Sequence, residues 1–99
     1  MEYRTVVTVS RYEGEDADGE AVYETHDHLA YSNPLTTERA YTVDGAQRIG
    51  RHFVAFPALV AVAVGDSIEV DGEDMTVLSV GVVRRPQNGQ VVHTEVIGG

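Results

Sequence analysis

The sequence predicts an all-β fold: a small β-barrel or sandwich of about six to eight short antiparallel strands, with a long loop in the middle segment. Seventeen valines stand against four leucines and three isoleucines, and valine favours pleated, half-buried surfaces over helices. Ten glycines and the lack of a long 3.6-residue apolar stripe point the same way. With 99 residues, of which 42% are hydrophobic, we expect a single domain spanning residues 1–99.

The clearest element is a hairpin over residues 61–80. Ile68 and Val70 alternate with polar residues before Asp71-Gly72, a dipeptide that accepts the positive φ angles of a tight turn. Gly65 and Asp66 supply the bend that leads into the first of its two strands. These two residues, with Asp71 and Gly72, are therefore predicted as the scaffold positions of the hairpin.

Period-2 patterns bounded by turn residues predict the remaining strands. They lie at residues 3–12, 20–28, 39–43, 47–56 and 90–97. The strand at 39–43 is expected to end at Asp44-Gly45, and the one at 47–56 to stop at Pro57. Residues 29–38 are predicted as the irregular part of the middle segment, since Asn33-Pro34 is turn chemistry and the periodicity around it is weak.

Composition excludes several classes of protein. There is no cysteine, which rules out disulfides and thiolate chemistry. No apolar run approaches the length of a membrane span, and residues 1–4 lack the basic and apolar regions of a signal peptide. We therefore expect a soluble protein that stays inside the cell that makes it and has no membrane partner.

The charge balance is strongly acidic. Sixteen carboxylates oppose seven basic side chains, giving a net charge of −9, and every base is arginine. Such a surface repels nucleic acid in general, because binding to DNA depends on neutralising phosphates with cations. A GC-rich genome accounts for the missing lysine. A halophilic host, in which surface carboxylates keep proteins soluble in molar salt, accounts for the acid excess as well.

Charge is also segregated along the chain. Residues 13–27 hold seven acids and no arginine, whereas residues 39–56 hold three arginines and one acid, Asp44. The candidate contacts with DNA or with an acidic neighbour are Arg39, Arg48, Arg51 and His52. Arg84 and Arg85 mark a second candidate interface loop.

No motif predicts catalysis, a cofactor or a metal. Residues 13–19 resemble a calcium loop, but Gly14 and Thr25 fall where an acidic ligand and a bidentate glutamate are needed. His26 and His28 share one face of a strand, a pattern used by some metal sites, yet nothing fixes a third ligand. No nucleophile elbow or glycine-rich phosphate loop is present, so we expect no enzyme.

The order of features in residues 52–99 resembles a known viral family. Phe53-Val54-Ala55-Phe56-Pro57 is followed by Val64-Gly65-Asp66-Ser67-Ile68-Glu69-Val70-Asp71-Gly72, then Met75-Thr76-Val77-Leu78-Ser79-Val80, and finally Val92-His93-Thr94-Glu95-Val96. This order is similar to that of the head–tail connector proteins of tailed double-stranded DNA viruses, in particular the head-completion or stopper group. Met75 stands where those proteins more often have an aromatic residue, and residues 25–50 have no clear counterpart.

The resemblance implies a structural virion protein that is assembled in the host cytoplasm and lies at the head–tail junction. Copies of it would form a ring, a hexamer or dodecamer, in the neck between the portal or adaptor and the tail. The ring would close the DNA-filled head and provide the tail attachment surface, with non-specific contact to packaged DNA. Residues 25–50 would then be the channel or interface loop.

Two alternatives remain open from the sequence. One is a tail terminator or another structural virion protein of the neck or tail. The other is a cellular SH3-like or OB-like module that binds a peptide or nucleic acid.

Overall fold

A computed structural model describes residues 2–99, and in them it contains eight strands and no helix. The strands are β1 (Thr5–Glu15), β2 (Ala21–Pro34), β3 (Ala40–Val43), β4 (Ala46–Ile49), β5 (His52–Phe56), β6 (Ser67–Val70), β7 (Glu73–Arg84) and β8 (Val91–Gly98). Six of them form a closed antiparallel barrel in the order β1-β2-β5-β8-β7-β6, while β3 and β4 form a separate hairpin. The all-β prediction is confirmed. In the same residues no helix is long and apolar enough to cross a membrane.

Two long hairpins, β1–β2 and β7–β8, make up most of the barrel wall. They are joined by the much shorter strands β5 and β6, of five and four residues. Because β6 is antiparallel to both β1 and β7, these two strands run in the same direction, and the turns that follow them leave the same end of the barrel. We call residues 11–24 the acidic ribbon and residues 80–92 the basic ribbon. The ribbons contribute to the elongated shape, 49 × 29 × 24 Å.

Apolar side chains, most of them valine, fill the barrel. Val7 and Val9 on β1 lie directly across from Val70 and Ile68 on β6, and all four are buried, as the alternation in residues 68–70 predicts. The rest of the interior cluster is Ala30, Val54, Phe56, Val60, Met75, Val77 and Val96.

Residues 57–66 close one end of the barrel. They connect the end of β5 to the start of β6, two strands on opposite sides of the wall. Val60 enters the core, and the fully buried Thr94 on β8 holds the segment there. Its hydroxyl donates to the Ala58 carbonyl at 2.7 Å and accepts from the Val60 amide at 3.3 Å.

An ion pair secures the seam between β1 and this segment. Arg11 donates two hydrogen bonds to the carboxylate of Asp66, Nε to Oδ1 at 3.1 Å and Nη2 to Oδ2 at 2.9 Å. Asp66 is 7% exposed and also accepts from the Ala63 amide at 2.9 Å. The Asp66 carboxylate, through its hydrogen bonds and its charge, raises the pKa of Arg11. Arg11 is a structural residue that the sequence patterns did not single out.

Both Asp-Gly turns adopt the backbone that the sequence predicts. Asp71 and Gly72 have φ angles of 51° and 79°, and Asp44 and Gly45 have 50° and 78°. Two consecutive positive φ angles define the hairpin turn whose twist matches that of the flanking strands.

The long loop that the resemblance implies over residues 25–50 requires correction. Residues 25–34 belong to β2, whose inward positions hold His26, His28 and Ala30 rather than large apolar residues, so its periodicity is weak in the sequence. Residues 40–49 form the β3–β4 hairpin, which lies outside the barrel.

The strand predicted at residues 47–56 is divided at Gly50. A Cβ at this position would lie 2.9 Å from Ile97 Cγ2 and 3.1 Å from Tyr41 Cε2. The chain therefore passes tightly beneath two side chains where β4 ends and β5 begins, and only glycine fits there without displacing them.

Replacing Thr94 with valine should remove the hydroxyl while keeping the shape of the side chain. The Val60 amide then loses its partner inside the protein, so the free energy of unfolding should fall by about 1–3 kcal/mol. Urea denaturation followed by far-UV circular dichroism measures this. Thr42→Val, at an exposed position of β3, is the control and should change stability by less than about 0.5 kcal/mol. Equal effects of the two substitutions would contradict the role assigned to Thr94.

Candidate functional site

The β3–β4 hairpin carries the first group of predicted contact residues. Arg39 precedes β3, Arg48 lies in β4, and Arg51 and His52 stand at the return to the barrel. The base of the hairpin is closed by two backbone hydrogen bonds, from the Gly50 amide to the Arg39 carbonyl and from the Leu35 amide to the Arg51 carbonyl, both 2.9 Å. Strand β3 lies against β7. The hairpin thus presents its arginines from a fixed base.

Two of these arginines share one open groove. Arg48 and Arg51 line it together with Ser67, Met75, Thr76, Asp74, Ile49 and Gly99. Arg51 Nη1 also donates to Glu73 Oε1 at 2.6 Å, an ion pair that is half exposed. Guanidinium and hydroxyl groups are suited to bind phosphate oxygens, but Asp74 and Glu73 reduce the positive charge of the groove.

The other two members of the group lie apart from that groove. Arg39 lines a second, more apolar groove with Leu35, Tyr41 and Ile97. His52 is half-buried at the first position of β5, where its backbone pairs with Pro34 and Gly98. The structure therefore brings Arg48 and Arg51 together but does not gather all four residues into one site.

Arg84 and Arg85 lie in a different region, at the tip of the basic ribbon. Both are exposed. The Arg84 Nη1 donates to the Gly89 carbonyl at 3.1 Å within the same turn. This turn leaves the same end of the barrel as the acidic ribbon. The basic turn and the acidic turn therefore project from the same end of the molecule.

The acidic ribbon holds its turn with one of its own carboxylates. Asp16 Oδ1 accepts hydrogen bonds from the amides of Asp18 and Glu20, at 2.9 and 3.0 Å. This explains the calcium-like spacing as turn chemistry. Tyr12 and Tyr23 stack edge to face, with ring centroids 5.8 Å apart, yet are 56% and 59% exposed.

Exposed apolar residues on both ribbons were missed by sequence reasoning. Besides the two tyrosines they include Val22 on the acidic ribbon and Val82 and Val92 on the basic ribbon. The alternation of the strands predicts their period but not which end of each strand leaves the barrel, so no sequence signal marks them as exposed.

The pair of histidines lies on the inward side of β2, close to the barrel end. The His26 and His28 rings contact each other through Nδ1 and Nε2, with centroids 4.7 Å apart, and the His28 ring stacks edge-on against Phe56 at 5.5 Å. Within residues 2–99, no group of three or more histidine or acidic side chains is placed to hold a metal ion. Burial, followed by the nearby His26, lowers the pKa of His28, while Asp27 partly opposes the shift.

The lowered pKa of His28 predicts acid sensitivity. Below its ordinary value of 6.5 the unfolded chain takes up this proton before the folded chain does, so stability is lost as pH falls through about 6.5 and is fully present above it. The substitution His28→Gln removes this titrating group and with it this pH dependence. Thermal melts at pH 8 to 5 should show a smaller loss of melting temperature in the variant, whereas the difference between the two proteins stays constant above about pH 7.5. Parallel profiles over the whole range would contradict the prediction.

No protein-family model matches the chain, and no curated protein sequence matches it.

Proposed function

We propose that this chain is a structural virion protein of a tailed double-stranded DNA virus. Copies of it form a ring in the neck between the portal or adaptor and the tail. The ring closes the DNA-filled head and provides the surface to which the tail attaches. The proposed role is architectural and requires no catalytic group, metal or cofactor.

The order of features from Phe53 to Val96 carries the proposal, since it resembles that of stopper proteins. These features fall on β5, β6, β7 and β8, which are adjacent in the barrel in the order β5-β8-β7-β6. The resembling residues thus form one continuous wall rather than scattered matches. Gly65, Asp66, Asp71 and Gly72 take the bend and turn positions in that wall.

The distribution of charge is consistent with a channel through which DNA must pass. A net charge of −9 limits adhesion of the duplex to the ring. The few arginines of the β3–β4 hairpin offer local contacts to phosphates. In this proposal that hairpin faces the channel or a neighbouring protein, and Arg48 and Arg51 are its principal contacts because they share a groove.

Electron microscopy of particles that lack this protein tests the function. We expect heads without tails that are empty or leak DNA, because the ring that closes the head is missing. Normal DNA-filled heads with tails of aberrant length would instead identify a tail terminator. Particles of ordinary appearance with intact tails would overturn both.

Charge reversal tests the proposed contacts separately. Virions carrying Arg48→Glu and Arg51→Glu should retain less DNA or join fewer tails, because like charges replace the attraction to phosphates or to an acidic neighbour. Arg4→Glu, at an exposed position that does not line the groove, is the control. Normal DNA retention and tail joining in the double variant would show that these arginines are not the contacts.

A further inference from the structure

Each of the two ribbons presents a strand edge that is free of backbone partners. Among residues 2–99, Ala21–Ala30 of β2 pair only with β1, because β5 meets β2 no earlier than Tyr31. Beyond Val77, β7 pairs only with β8, since the partners of β7 in β6 end at Thr76. An exposed strand edge is a template for pairing with another chain.

The side chains along these edges are complementary to each other. The edge of β2 leads into the acidic turn, and the edge of β7 ends at Arg84-Arg85. Val22 and Val82 are also 41% and 39% exposed on their respective ribbons. Since both edges belong to the same chain, a second copy of the protein supplies the complement.

We propose that the free edge of β2 in one copy pairs antiparallel with the free edge of β7 in the next copy. The inference names the subunit contact of the proposed ring, and to that extent it rests on the proposed function. The contact joins two different surfaces, so it is head-to-tail and generates a ring when the rotation closes.

In one register of the two strands, apolar residues lie opposite each other, opposite charges face each other, and a large side chain lies over a glycine. When Val22 lies opposite Val82, the antiparallel register places Glu20 opposite Arg84 and Tyr23 opposite Gly81. The valines form an apolar pair, Glu20 and Arg84 an ion pair, and the tyrosine ring covers the glycine.

The two strands also match face to face in this register. On β2, Val22 lies on the same side as His26, which pairs with the buried Val9. On β7, Val82 lies on the same side as Val80, which packs against the core. A parallel pairing would carry Arg84 away from the acidic turn, so the charges select the antiparallel direction.

Cysteine crosslinking tests the register, because the chain has no native cysteine. A chain carrying Val22→Cys is mixed with a chain carrying Val82→Cys and oxidised; a disulfide-linked dimer of one chain of each kind is expected, since opposed residues lie about 4.5–5.5 Å apart at Cβ. The control replaces the second chain with Val92→Cys, which is equally exposed at 38% but lies one strand further away. No crosslink, or equal crosslinking in the control, would overturn the assignment.

Charge exchange tests the same contact without a covalent bond. Glu20→Arg and Arg84→Glu should each weaken self-association roughly tenfold or more, measured by sedimentation velocity, and the double variant should recover most of the loss. Arg4→Glu is the control and should leave self-association unchanged. A protein that stays monomeric at about 1 mM, or single reversals without effect, would overturn the inference.

The two hypotheses fail in different experiments. Crosslinking at the predicted positions together with normal particles in the absence of the protein would remove the neck function and keep the contact. Tailless, leaking heads together with failed crosslinking would do the reverse.

Discussion

The pairing of Arg11 with Asp66 fixes the seam at which the barrel closes. Strand β6 contributes only four residue pairs to β1, so the backbone ladder there is short. The two charge-assisted hydrogen bonds from Arg11 continue the seam beyond the first residue of β6, Ser67, and tie β1 to the segment that crosses the barrel. Because the Asp66 carboxylate is nearly buried, removal of Arg11 would leave it without its arginine partner inside the protein.

The same short strands explain where the exposed surfaces arise. If β5 and β6 were as long as β1 and β7, they would pair with the edges of β2 and β7 that extend beyond the barrel. Here those edges remain unpaired, and the acids, arginines and exposed valines lie along them. Segregation of charge in the sequence thus becomes separation of charge in space, which favours binding between unlike surfaces over aggregation of like ones.

Local sequence rules predicted the parts of this fold that local interactions determine. The Asp-Gly turns and the alternation at Ile68 and Val70 follow from backbone sterics and burial of one strand face. The pairing of Arg11 with Asp66 joins residues 55 positions apart in the chain, and no local pattern encodes it. The extent of β2 was missed because histidines and alanine occupy its inward positions. Of the candidate site, sequence located the arginines but not the groove that Arg48 shares with Arg51.

The β3–β4 hairpin has a consequence for how this chain can diverge. Its two ends are joined by the backbone hydrogen bonds of Leu35 with Arg51 and of Gly50 with Arg39, and within residues 2–99 its two strands pair only with each other. The barrel thus carries the hairpin as an insertion whose exposed turn can change in length and chemistry at small cost to the core. Substitutions or insertions at the exposed turn of the hairpin, Asp44-Gly45, would therefore alter the outer surface while the six-stranded frame stays the same.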